Sequence, residues 1–294
     1  MIRKPPWLRM HLPTGDGFDR VNGLLQSLQL NTVCTSARCP NLAECWARGT
    51  ATIMILGDSC TRRCRFCSVG QVRSARRPGP HDPEEALRVA EAVRRLGLRY
   101  VVITSVDRDD LPDLGAQAFA ATVSHIRKVR PETQIEVLTP DFGARAELVR
   151  LVIESGPDVF GHNIETVERL TPRVRDPRAG YRLSLRVLEL VKVLAPSLIT
   201  KSGLMLGLGE SDDEIGKTLS DLRAVGCDII TLGQYLQPDR RCLPVARYVP
   251  PAEFGRWESE ALALGFRAAR CGPLVRSSYQ ASELTKGLTV PAVG

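Results

Sequence analysis

At 294 residues, 43% hydrophobic and 25% charged, the chain is too long and too ordinary in makeup for a disulfide-stapled miniprotein, a collagen or a disordered tail. No apolar run approaches the roughly 18 residues of a membrane-spanning helix, and residues 1–12 hold no continuous apolar stretch of the signal-peptide kind. A formal net charge of +7 favours acidic partners but does not choose among nucleic acid, an acidic protein and an anionic small molecule.

From about Thr52 the chain alternates short β-like runs with longer amphipathic stretches, the pattern of βα units feeding a parallel sheet. A strand is predicted over residues 51–56, followed by a helix over 83–96 with Asp82 as N-cap, Pro83 in the first turn and Gly97 as the stop. A strand over 99–104 and a helix over 114–129 come next, then strand 134–138 and helix 145–154, then strand 159–164 and helix 183–194. Strand 198–206 leads into helix 212–225, where Ser211 and Glu214 have capping-box spacing. Strand 228–232 and helix 252–264 complete the series. Six βα repeats with no evident seventh and eighth predict an α/β fold of the partial (β/α)6 barrel type, with ligand chemistry at the carboxyl ends of the strands. Residues 50–266 form the barrel in this reading. Residues 1–49 and 267–294 are N- and C-terminal extensions outside the alternation.

Six of the nine cysteines lie between positions 34 and 67. In a reducing cytoplasm, the location expected for this chain, such clustering means metal ligation or redox chemistry before it means disulfides. Directly after the first predicted strand stand Cys60, Cys64 and Cys67, a C-x3-C-x2-C arrangement. A structural zinc site wants four protein ligands, as does an ordinary 4Fe-4S cluster. Three thiolates leave one iron open to bind a small molecule. The competing reading is a zinc knuckle completed by Cys45 or a distant residue. Arg62, Arg63 and Arg65 either offset an anionic cluster or, as the plainer expectation, are solvated loop residues. Cys227, Cys242 and Cys271 lack ligand spacing and are expected to be buried or inert thiols.

This loop after a first barrel strand resembles that of the radical S-adenosylmethionine (SAM) enzymes, in which the free iron chelates the amino and carboxylate groups of SAM. Upstream, Cys34, Cys39 and Cys45 form a second triplet of different spacing, C-x4-C-x5-C. With Lys4-Pro5-Pro6-Trp7-Leu8-Arg9, the segment from Ala51 to Gly57, Thr104-Ser105-Val106-Asp107-Arg108-Asp109-Asp110-Leu111 and Arg276-Ser277-Ser278-Tyr279, the two triplets resemble the lipoyl synthase family over nearly the whole chain. The resemblance implies two 4Fe-4S clusters, one on Cys60, Cys64 and Cys67 and an auxiliary one on Cys34, Cys39 and Cys45 with Ser278 as fourth ligand, Ser277 being the less favoured neighbour. An oxygen ligand at a corner where thiolate is the softer partner suits an iron that must be released.

The same resemblance suggests where SAM sits. Gly203 to Glu210 is similar to the G-x-I-x-G-x-x-E segment lining the adenine site, with Met205 in the isoleucine position and Glu210 closing the motif. Asn163 and Glu165, in the run from His162, fall near the ribose; Arg178 is placed to pair with the SAM carboxylate, and Thr104 to contact the methionine moiety. The implied activity is insertion of two sulfur atoms, at C6 and C8, into an octanoyl chain on a lysine of a lipoyl carrier protein or domain. An external electron donor is needed, and neither nucleic acid nor membrane is an expected partner. Two other readings stay open at this point. One is another radical SAM sulfur-inserting enzyme such as a methylthiotransferase, for whose RNA- or protein-binding appendage the short flanks leave little room. The other is a zinc-stapled, basic nucleic-acid-binding protein.

Overall fold

The computed structural model describes residues 3–8, 16–36, 39, 41–47, 50–71 and 78–288. Parts of both predicted extensions, residues 9–15 and 289–294 among them, lie outside the described residues. The chain divides into two compact units, one of residues 11–63 and 68–160, the other of residues 64–67 and 161–294 with the first residues of the chain.

In the first unit, α1 (Asp16–Ser27), the two-residue β1 (Asn31–Thr32), α2 (Val33–Ser36) and α3 (Leu42–Ala47) precede the alternation. Then come β2 (Thr50–Ile55), α4 (Glu85–Leu96), β3 (Tyr100–Ser105), α5 (Ala116–Val129), β4 (Gln134–Leu138), α6 (Ala146–Glu154) and β5 (Val159–Gly161), the last of which is cut by the unit boundary. β1 pairs antiparallel with β2; β2 pairs parallel with β3, and β3 with β4. Every residue of β2 is buried, as are the first five of β3. That burial on both faces is why these runs read as continuous apolar segments of β-branched residues. α4 turns Ala86, Val89, Ala90 and Val93 inward at helical spacing and stops at Gly97, whose φ of 60° is the left-handed conformation of a C-cap.

In the second unit a short helix (Thr171–Val174) precedes α7 (Tyr181–Leu194), β6 (Ile199–Leu206), α8 (Asp212–Ala224), β7 (Ile229–Gln234), α9 (Pro251–Ala263), β8 (Ala268–Gly272) and α10 (Ala281–Leu284). β6 and β7 pair in parallel, Lys201 opposite Ile229, and β8 adds in parallel on β7, Ala268 opposite the same Ile229. Within each unit hydrogen-bonded neighbours follow chain order, β1 to β5 in one and β5 to β8 in the other. The apolar core of this unit gathers Ile164, Leu185, Leu204, Leu219, Leu232 and Trp257 from successive elements.

Three expectations are corrected. The predicted strand over 159–164 is regular only to Gly161. Beyond it the chain continues through His162, whose N–H donates to Lys201 O, to an isolated bridge between Glu165 and Leu204. β8 lies in the segment assigned to the C-terminal extension and continues the alternation as a further parallel strand; its sequence Ala-Ala-Arg-Cys-Gly is only half-buried and has no β-branched run to announce it. α4 begins at Glu85 with Glu84 as N-cap, so Asp82 closes the preceding turn instead, its side chain accepting from the Glu84 N–H at 2.9 Å.

Candidate functional site

β2 ends on Leu56 at φ 68° and Gly57 at φ 85°, two successive left-handed residues that swing the chain out of the sheet into the cysteine loop. The turn is held from below. Glu85, buried in the first turn of α4, accepts from the backbone N–H of Leu56 at 2.6 Å and of Gly57 at 3.4 Å. Ser59–Cys60 then pairs as a two-residue parallel ladder with Gly70–Gln71.

The Cys60 arm of this loop is fastened to the segment following β3. Thr61 donates its N–H to Asp107 O at 3.0 Å and its hydroxyl to Asp109 Oδ2 at 2.6 Å. Arg62, expected to be solvated, is 6% exposed. It donates to Asp109 through Nε and Nη2 and to Asp141 through Nη1 and Nη2, and its Nε lies 3.3 Å from Asp107 Oδ1. Hydrogen bonds to Asp141 and Asp109 and the charges of Asp107 and Asp141 outweigh burial and hold its guanidinium firmly protonated. Cys60 Sγ points at Asp107 Oδ2, 3.7 Å away. The signal for this clamp was present as complementary charge, Cys-Thr-Arg-Arg-Cys in one loop and Asp107-Arg-Asp-Asp in another, but only the parallel pairing of β2 and β3 makes the two loops neighbours.

Cys64 and Cys67 belong to the second unit. Cys64 Sγ accepts the backbone N–H of Asp176 at 3.4 Å, and Cys67 closes a turn back to Cys64 through its N–H. Arg65 between them is tied on both sides of its backbone, its N–H to Val174 O and its carbonyl to the Leu243 N–H. Cys242 is more than an isolated thiol: its sulfur donates to the Cys67 carbonyl at 3.5 Å. Cys227 and Cys271 are pushed up to about 12, chiefly by burial, so they stay protonated as expected of inert thiols.

The upstream triplet is local to the first unit. Cys34 on α2 and Cys45 on α3 flank Cys39, whose N–H donates to Cys34 O at 2.9 Å. Burial and then the charges of Cys39 and Cys45 push the Cys34 thiol up to about 12, opposed by hydrogen bonding to Thr52 on β2. A thiol buried beside two other sulfurs is costly to ionise as a free group, and a bound cation would remove that cost. Among the described residues no three His, Cys, Asp or Glu side chains close around a single metal ion.

The expected SAM-binding residues of the second unit gather at adjoining strand ends. Gly203 on β6 lies so close to Asn163 that a Cβ would stand 2.8 Å from Asn163 Oδ1. Glu165 occupies the left-handed region at φ 68° and accepts the Met205 N–H at 2.9 Å. Glu210 is buried and spends its carboxylate on the N–H groups of Gly207 and Leu208, fixing a turn whose Gly207 has φ 99°. Arg178 pairs with Asp176, Nε to Oδ1 at 2.8 Å, two residues from the N–H that reaches Cys64. In the first unit Thr104 near the end of β3 donates its hydroxyl to Leu138 O. His162 is buried against Ser184, Nε2 to Oγ at 2.9 Å, and Ser184 also accepts from Arg175. Ser277 and Ser278 are the central residues of a turn closed by the Tyr279 N–H on Arg276 O.

Comparison with known proteins places these features in a family. The Radical SAM superfamily matches residues 54–222, and the N-terminal domain of lipoyl synthase matches residues 1–39. The lipoyl synthase of Thermus thermophilus is 53% identical over 281 residues, covering 96% of this chain and 86% of that protein. That of Halorhodospira halophila is 53% identical over 294 residues, 99% and 87% of the two chains, and the mitochondrial lipoyl synthase of Aedes aegypti is 53% identical over 287 residues, 96% and 72%. Among solved structures, methylornithine synthase (PylB) aligns with a TM-score of 0.52 at 14% identity over 93% of this chain and 95% of its own. The FeFe-hydrogenase maturase HydG from Carboxydothermus hydrogenoformans aligns with a TM-score of 0.57 at 13% identity, over 90% and 77%. These two share the fold, the radical SAM partial barrel. With identity above half across nearly its entire length, the chain belongs to the lipoyl synthase family of radical SAM enzymes.

Proposed function

We propose that the chain inserts two sulfur atoms, at C6 and C8, into an octanoyl chain attached to a lysine of a lipoyl carrier protein or domain. The observation that carries this reading is the pair of cysteine triplets of unlike spacing in a lipoyl synthase family member. Cys60, Cys64 and Cys67 would hold one 4Fe-4S cluster with an iron left for SAM; reduced by an external donor, such a cluster would supply the one-electron reductive cleavage of SAM. Cys34, Cys39, Cys45 and Ser278 would hold the second cluster, the source of the sulfur. The placement of Cys34 on α2 and Cys45 on α3 either side of Cys39, whose N–H donates to Cys34 O, is consistent with the cysteine part of that assignment.

The remaining residues bind and orient. Abstraction of an aliphatic hydrogen develops no polar charge for an acid or base to stabilise, so the protein's work is placement and exclusion of water. Asn163, Glu165, Met205, Glu210, Arg178 and Thr104 are assigned to the SAM site. Glycine at 203 leaves room beside Asn163, and Glu210 keeps the Gly207 turn rigid. His162, hydrogen-bonded to Ser184, is a support for the strand end and no proton carrier in this scheme. A cytoplasmic site of action is part of this reading, as expected where clustered cysteines serve as ligands. No nucleic acid or membrane partner is invoked.

Mass spectrometry of an octanoyl-lysine peptide incubated anaerobically with reconstituted enzyme, SAM and a strong reductant tests the proposal. The expected product has two sulfurs in place of two hydrogens, and a methylthio group or an unchanged peptide refutes it. Cys64→Ala should abolish SAM cleavage, whereas Cys39→Ala should leave cleavage intact and stop sulfur insertion.

A further inference from the structure

We propose that the backbone amide of Asp176 is a fixed hydrogen-bond donor to the sulfur of Cys64 and raises the reduction potential of the cluster that Cys64 helps to hold, with Arg175 as the residue that keeps the amide in place. The inference rests on the assignment of Cys64 as a cluster ligand.

The geometry lies within the second unit. The Asp176 N–H donates to Cys64 Sγ at 3.4 Å, and Val174 O, two residues earlier, accepts the Arg65 N–H at 2.8 Å. One short run of chain, residues 174–176, therefore meets the cysteine loop twice, once at its backbone and once at its sulfur. That run is anchored from behind. Arg175 is buried; its Nη1 donates to Ser184 Oγ on α7 at 2.8 Å and to Ile164 O at 3.4 Å, and its backbone N–H donates to Thr171 O at 2.9 Å. On the other side Asp176 O accepts the Ala179 N–H at 2.8 Å and Asp176 Oδ1 accepts the Arg178 N–H at 3.0 Å. The direction of the amide is thus set by groups other than the sulfur it meets.

This contact is of the kind that survives loading. A sulfur bound to iron has no proton to give and keeps its lone pairs, so it remains an acceptor for an N–H, and hydrogen bonds gain strength when the acceptor carries charge. The direction of the effect follows from the charge that reduction adds. An electron entering the cluster makes its sulfurs more negative, so a donor fixed on one of them stabilises the reduced state more than the oxidised one, and cluster potentials respond to hydrogen bonding at the sulfurs. Whatever else surrounds Cys64, taking this donor away lowers the potential. The consequence belongs to the supply of electrons: the amide keeps the cluster easier for an external donor to reduce. Arg175 acts on the sulfur only through the backbone it holds, as a positioning residue.

The test uses the full chain carrying Cys34→Ser, Cys39→Ser and Cys45→Ser, reconstituted anaerobically with iron and sulfide so that one cluster remains. In that background Asp176→Pro and Asp176→Ala both lack the carboxylate and differ in the amide N–H. Arg175 already has φ −100° and ψ 168°, the extended backbone that a following proline requires. In a redox titration followed by electron paramagnetic resonance, the proline variant should have the more negative midpoint of the two. Equal midpoints, or a more positive one in the proline variant, overturn the inference. A second measurement decides the matter even where the proline variant fails to hold iron. With the heavy nitrogen isotope introduced only at aspartate, the reduced cluster of the parent should show a hyperfine coupling to labelled nitrogen that disappears in Asp176→Ala, whose amide is unlabelled. The same coupling in both proteins overturns the inference, and a coupling that stays unchanged in iron-replete Arg175→Ala overturns the role given to Arg175. A cluster that survives Cys64→Ala defeats the ligand assignment itself, and is read separately from these results.

Discussion

At the scale of single residues, the structure shows how much of the cysteine loop is held by residues other than its cysteines. Leu56 and Gly57 leave the sheet with both N–H groups turned away from any strand, and Glu85 is the acceptor for both. Removing it strands two backbone donors, each worth about 1–3 kcal/mol when buried and unpaired. Glu85→Ala should therefore lower unfolding free energy by about 2–4 kcal/mol in urea titration, and Glu85→Gln, which keeps one acceptor oxygen, should lose roughly half as much. A loss within error for both variants would mean that water replaces the carboxylate. The cysteine pattern is legible in the sequence because it is written in short spacings. Arg62 was not, because the partners that bury it, Asp107, Asp109 and Asp141, stand 45 to 79 residues downstream and meet it only through the pairing of parallel strands. Asn163 against Gly203 was missed as a contact for the same reason, although both residues had been singled out.

At the scale of elements, what could be read locally was read well. The six predicted helices all form, and the strand over residues 134–138 is found with those bounds, because buried parallel strands and amphipathic helices differ in period and in β-branched content. What depended on a partner escaped. β8 exists because β7 offers it five paired positions, Ala268 to Gly272 against Ile229 to Gly233, and its own residues carry little strand preference. Caps divide along the same line. At α8 the reciprocal pair is local and forms as the sequence indicates, Ser211 Oγ accepting the Glu214 N–H at 3.3 Å and Glu214 accepting the Ser211 N–H at 2.8 Å. Glu214 is further engaged by Arg169, and the hydrogen bond from that guanidinium is the main reason its carboxyl is lowered to about 2. Ser211→Ala should cost about 1 kcal/mol, the usual worth of such a cap, seen as a lower thermal midpoint with the circular dichroism of the folded state unchanged. Since α8 leaves directly from the Gly207–Glu210 turn, the same variant should weaken SAM binding if the turn fits the nucleoside, and leave it untouched if it does not.

At the scale of the whole molecule, the charge of +7 is the surplus of 40 basic over 33 acidic residues, and its effect on a partner depends on how much is already cancelled nearby. Many exposed arginines and lysines are matched on their own helix or a neighbour: Arg94 with Glu91, Arg186 with Glu189, Lys217 with Asp221, Arg182 with Glu168 and Arg256 with Asp212. Such exposed pairs add about 0–1 kcal/mol each to stability and contribute little to the field at a distance. The unmatched surplus is what an approaching protein feels, over about one Debye length, roughly 8 Å at physiological ionic strength. If the substrate is the acidic octanoylated carrier domain of the proposed function, the expected signature is kinetic. Raising salt from about 0.05 to about 0.5 M should slow association strongly while changing dissociation little, because steering acts on encounter and not on the docked contacts. The control is a short uncharged octanoyl-lysine peptide, whose KM should stay flat over the same range, since it presents the same reacting chain without the acidic surface. Stopped-flow association rates with both substrates separate the possibilities. Equal salt dependence for peptide and carrier would place the effect in the site and not on the surface, and none for either would leave carrier recognition to apolar and hydrogen-bonded contacts around the bound octanoyl chain.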